Sequence, residues 1–148
     1  MTAIQMLNEE LKNSKRKEEM SPIFLERCKG LCQIDKFFPG YVVDDVDISN
    51  PNEMILILVT LGDKTGADET LKLTKGNNIL ICLEEDSDEV HICCSEEVTS
   101  CVNTPYGERW YTNSFSIFTI YFDWDGSEKD FREKLDKDLK EIIEENNL

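Results

Sequence analysis

This 148-residue sequence contains one histidine, no two cysteines separated by two residues, and no long apolar run. Each shortage excludes something. A lone His91 removes multi-histidine metal and acid–base sites. A Cys–His nucleophile would need Cys93 or Cys94 as a thiolate, and neighbouring carboxylates raise a thiol pKa rather than lower it. No Gly-x-Ser-x-Gly element occurs, and residues 62–66, Gly-Asp-Lys-Thr-Gly, lack the spacing and the following Lys-Ser/Thr of a phosphate loop. In a chain with 31 Asp and Glu, any pair of carboxylates is uninformative. No enzyme and no cofactor is expected.

The longest aliphatic run, residues 54–59, is too short to span a bilayer. The first residues lack the apolar region and cleavage site of a signal peptide. No Asn-x-Ser/Thr sequon is present. A cytoplasmic chain with six mostly reduced cysteines is therefore expected. Basic residues are scarce as well: 16 Lys and Arg leave a net charge of −15. Such a surface repels phosphates, which argues against nucleic-acid and anionic-membrane partners and for a basic protein partner.

What remains is an ordinary core in an acidic shell. The length is that of one domain, 1–148, and hydrophobic residues make up 40%. The Ile, Leu, Val, Phe and Tyr runs between residues 54 and 124 argue against disorder. The charge is uneven. Residues 1–40 hold seven Lys and Arg against six Asp and Glu, whereas residues 41–148 hold nine against twenty-five.

Periodicity places a polar helix over residues 3–19, with Ile4, Leu7 and Leu11 at helical spacing and Met6 beside them. Ser21-Pro22 signals a second start, and Phe24, Cys28 and Leu31 share a face before the breaker Phe38-Pro39-Gly40. Strands are expected over residues 41–48, 54–61, 70–74, 79–83 and 90–94, then over 106–112 and 115–124 on either side of Asn113-Ser114. Residues 54–61 suit a strand covered on both faces or at the sheet centre. Residues 95–102 are ambiguous, since Ser95 could cap a short helix carrying Glu96 and Glu97 in its first turn. Ser127 and Asp130 resemble a capping box, and Phe131, Leu135, Leu139 and Ile142 form the stripe of a last helix. The expected fold is α+β: a helical part (1–40), an antiparallel meander of about six strands (41–125), and a long helix (127–146) packed on the sheet.

Residues 78–101 hold the sharpest chemistry. Two β-rich runs flank an acidic turn and read as a hairpin. Setting Leu83 opposite Val90, Ile81 opposite Ile92 and Ile79 opposite Cys94 gives one wholly apolar face. Leu80, Cys82, His91 and Cys93 then take the other. From Glu84 to Glu97 there are seven carboxylates and no Lys or Arg. Such a turn is commonly just solvated, or keeps a sheet end from aggregating. Set against the whole-chain imbalance, it also suits docking to a basic surface, with Glu84, Glu85, Asp86, Asp88 and Glu89 as contacts and Glu96 and Glu97 as flank.

Two other sites compete. Cys82, His91 and Cys93, with Cys101 as a fourth, could hold zinc, although the usual spacing is missing. Asp86-x-Asp88 and Asp123-x-Asp125-Gly126 are acidic enough for loose calcium binding, without the twelve-residue loop. Tyr106, Trp110 and Tyr111 are expected to pack under the helices, the alternative being interface anchors. The function expected is an acidic stoichiometric inhibitor, immunity-protein-like, that blocks a basic toxin such as a nuclease. The alternative is an acidic adaptor or chaperone-like domain. The oligomeric state is not legible.

Overall fold

The computed structural model describes residues 2–13, 18, 20–33, 38, 41–50, 52–60 and 78–146. Among these residues, three helices and five strands lie in the order α1 (Ala3–Asn13), α2 (Pro22–Leu31), β1 (Val42–Asp47), β2 (Glu53–Val59), β3 (Asn78–Glu84), β4 (Glu89–Thr104), β5 (Gly107–Asp123) and α3 (Glu128–Asn146). The strands form one antiparallel sheet in sequence order, a meander. This is the expected α+β architecture, with two helices before the sheet and a long one after it. The expected strand at residues 70–74 lies outside the described residues.

Local chemistry explains the helices. Ser21 caps α2, its Oγ accepting from the Phe24 N–H at 3.2 Å, and Pro22 occupies the first turn, where its missing N–H costs nothing. Ser127 Oγ likewise accepts from the Asp130 N–H at 3.2 Å. The Asp130 carboxylate does not return the bond to Ser127. It accepts from the Asp125 N–H instead, and Asp125 Oδ1 accepts from the Ser127 N–H at 2.8 Å. Leu7 and Leu11 of α1, Phe24, Cys28 and Leu31 of α2, and Phe131, Leu135 and Leu139 of α3 are buried.

All three stripes meet one sheet face. Met54, Leu56 and Leu58 of β2 alternate with half-buried neighbours, so β2 is interior to the sheet but buried on one face only. The hairpin register is the expected one: Leu83 faces Val90, Ile81 faces Ile92 and Ile79 faces Cys94. All six are buried. Phe118 and Ile120 extend this face onto β5, and Phe131 meets both Phe122 and Trp124 edge-on at about 5.5 Å. None of the six cysteines is in a disulfide. Burial pushes the Cys28 and Cys32 thiols up to about 12, with the Cys32 thiol adding to the effect on Cys28.

At the C-terminal side of the sheet one ambiguity resolves and one expectation fails. Residues 95–102 form no capped helix, and residues 107–123 are not two strands split at Asn113-Ser114. β4 and β5 run on as one long ladder, with Asn113 opposite Val98 and Ser114 opposite Glu97. Val98, Thr99, Cys101 and Val102 favour extended backbone, and each ladder partner supplies the hydrogen bonds that a turn at Asn113 would have made locally. The ladder has one irregularity. Cys94 faces Phe118 and Ser95 faces Ser116, which leaves Ile117 as an extra residue in β5. Beyond it, and past the pairing of Ser95 with Asn78 of β3, residues 96–115 form a two-stranded arm among the described residues. A turn at Pro105-Tyr106 closes its tip, where Gly107 takes φ +114° and Thr104 Oγ1 donates to the Gly107 carbonyl at 2.7 Å.

Candidate partner-binding surface

The antiparallel meander brings three separate connections to one end of the sheet. β1 ends at Asp47 and β2 begins at Glu53; β3 ends at Glu84 opposite Glu53; β4 begins at Glu89 opposite Asp123, the last residue of β5. The turn that carries Glu85, Asp86 and Asp88 lies between them. Nine carboxylates thus share this end, the ninth being Asp125 just after β5. Ser49 and Ser127 hydrogen bonds hold the Asp47 and Asp125 carboxyls below the usual carboxylate range, so both stay ionised.

Main-chain bonds tie the end together. The Glu85 N–H donates to the Asn52 carbonyl at 2.8 Å, the Ser87 N–H to Glu84 at 3.3 Å, and the Trp124 N–H to Asp88 at 2.9 Å. Arg27 of α2 adds three more. Its Nη1 donates to the Ser87 carbonyl at 2.9 Å, and its Nη2 to the carbonyls of Asp88 and Trp124 at 2.9 and 3.1 Å. The guanidinium also lies 5.5 Å from the Trp124 ring centroid. Glu85 Oε1 accepts from the Ser21 N–H at 3.4 Å, which joins the turn to the cap of α2. Lys134 of α3 donates to the Asp123 carbonyl and lies 3.1 Å from Asp130. Arg27 therefore bonds backbone carbonyls here, not the turn's carboxylates.

Five of the seven residues that the sequence suggested are gathered here: Glu84, Glu85, Asp86, Asp88 and Glu89. Glu96 and Glu97 are not. They lie seven and eight residues along β4 from Glu89, roughly 24–27 Å away at strand rise, at the root of the arm. The helical turn that would have folded them back toward the hairpin is a strand. Asp47, Glu53, Asp123 and Asp125 belong to the same end and were missed as contacts. They are distant in sequence, and only the meander order aligns them.

The suggested zinc set is also redistributed. Cys82 does face His91, with Cys93 two residues along. However, His91 stacks on Tyr121 at 5.7 Å and its Nε2 lies 3.4 Å from Glu89, while Cys93 Sγ accepts from Thr119 Oγ1 at 3.7 Å. Cys101 is out on the arm opposite Trp110. Among the described residues, the group whose donor atoms come within 4.8 Å of one another is Glu53, Cys82 and Glu84. Burial, with Glu53 and Glu84 adjacent, pushes the Cys82 thiol up to about 11, which opposes the thiolate a metal would need.

The aromatic residues near the tip are not under the helices. Tyr106, Trp110 and Tyr111 are 93%, 68% and 46% exposed, and Phe115 is 54% exposed. The arm extends past the part of the sheet that the helices cover, so among the described residues no core surrounds them. Among the described residues no helix is long and apolar enough to cross a membrane. No family model, curated protein or solved structure matches the chain.

Proposed function

We propose that this protein is an acidic stoichiometric inhibitor, immunity-protein-like, that binds a basic protein partner, a toxin or effector such as a nuclease, and covers its active site. The observation that carries this reading is the convergence of nine carboxylates from three connections on one end of the sheet, with the nearby Arg27 turned to backbone carbonyls. Such an end projects a negative field that attracts Lys and Arg clusters and speeds association. Against a nuclease the carboxylates take the places of substrate phosphates. The inhibitor works in the cytoplasm, where the target would otherwise act.

Exchanging Asp86 and Asp88 together for Lys tests this. Both side chains are exposed and the hydrogen bond to Arg27 uses the Asp88 carbonyl, so the fold is retained. Affinity for the basic partner, captured from the source cell at low salt, should drop at least about tenfold, and wild-type association should slow steeply as salt rises. Unchanged affinity and salt-insensitive binding would remove the acidic end from the interface. That result would favour the adaptor reading, for which the exposed Tyr106 and Trp110 are the supporting observation.

A further inference from the structure

We propose that a second copy of this chain pairs with the outer edge of β5 on the arm, strand to strand and antiparallel, and joins two sheets about a two-fold axis at Asn113. β5 is last in the sheet order, so no described strand takes its outer row of N–H and C=O groups. Exposed edges of this kind are normally guarded by charge or proline. Here residues 110–122 are thirteen consecutive positions without Asp, Glu, Lys, Arg, Pro or Gly, in a chain that is 32% charged. The bulge at Ile117 interrupts the edge at the arm's root and leaves residues 110–116 as an unbroken segment. An isolated two-stranded ribbon is marginal in water, which favours a cover on this one.

Charge selects the occupant. Residues 41–148, with nine Lys and Arg against twenty-five Asp and Glu, repel their counterpart in a second copy, and the uncharged strip is where two sheets can meet without that repulsion. Asn113 lies ten residues from Asp123, so antiparallel pairing about Asn113 sets each acidic end roughly 34 Å from the axis. The two ends are then roughly 70 Å apart, many times the screening length of about 8 Å at physiological ionic strength. A basic partner would be drawn to the acidic end instead.

The strand is also complementary to itself in this register. Tyr111 of one copy faces Phe115 of the other, twice over, and Thr112 faces Ser114. Aromatic and hydroxyl cross-strand pairs of this kind are favourable, and a two-fold interface requires each contact to occur twice.

Sedimentation of the purified chain over a concentration series tests the pairing without any other partner, so its outcome is separate from that of the inhibitor reading. Wild type should pass from 17.1 kDa to twice that mass as concentration rises. Asn113→Lys sets two like charges face to face on the axis and should weaken the dimer at least about tenfold, with the Trp124 emission of the folded monomer kept. Asn113→Cys should form a 113–113 disulfide under mild oxidation, identified by peptide mass. A wild-type mass of 17.1 kDa at the highest soluble concentration overturns the proposal. So does a dimer that Asn113→Lys leaves intact and that Asn113→Cys fails to link.

Discussion

The acidic end and the arm are opposite ends of the same two strands, yet they are built on different principles. At the acidic end, three connections, the cap of α2 and the start of α3 converge, and each backbone turn has partners far away in sequence. Among the described residues, the arm has only its own ladder. Its side-chain bonds, such as the 3.1 Å contact between the Thr99 and Thr112 hydroxyls, stay within the hairpin. Charge follows the same division: carboxylates crowd the supported end, and aromatics occupy the unsupported one. Highly charged side chains are tolerated where packing elsewhere supplies the stability, and exposed aromatics are retained where something can cover them.

Phenylalanine substitutions should break this comparison most sharply. Phe131 is 1% exposed and touches both Phe122 and Trp124, so Phe131→Ala should cost about 3–5 kcal/mol in urea unfolding. The same change at Phe115 should alter monomer stability by no more than about 0.5 kcal/mol. Next in size is Arg27→Ala. It removes the guanidinium from three carbonyls, of which Asp88 keeps the Trp124 N–H, and should cost about 2–3 kcal/mol, with faster amide exchange in the turn at residues 84–89 and none of that change on the arm.

The smallest effect is that of raising the pH to 10. Cys28 and Cys32 are held protonated up to about 12 in the folded chain against 9.0 for an ordinary thiol. The unfolded state therefore releases these protons first. The stability they contribute is present in full below pH 9 and is lost as pH rises toward 12, about 1 kcal/mol for each thiol by pH 10. The two tryptophans separate the regions. Emission from buried Trp124 should report this alkaline loss, and Trp110, already in solvent on the arm, should not.

Much of the supported half was readable from sequence because its signals are local. Ser21-Pro22, the stripe Phe131, Leu135 and Leu139, and the alternation on either side of residues 84–89 each specify an element without outside help. The arm was not readable, for two reasons. Asn113-Ser114 and Ser95 carry turn and cap chemistry that long-range pairing overrides. The extra Ile117 also shifts the phase of β5, so Tyr111 and Phe115, not Trp110, continue the face begun by Phe118 and Ile120. For the acidic surface, the sequence exposed the dense cluster at residues 84–89 but not Glu53 or Asp123, which only strand order brings alongside.

Arg27 gives the acidic end a property beyond its charge. A flexible acidic loop must freeze its backbone when it docks, and that ordering subtracts from affinity. Here the guanidinium has already fixed the carbonyls of Ser87 and Asp88 by bonding the backbone and not the carboxylates beside them. In the proposed complex the turn would meet its partner in one backbone shape, with little conformational freedom left to lose, and binding would be limited mainly by how well the partner's cations match a rigid template.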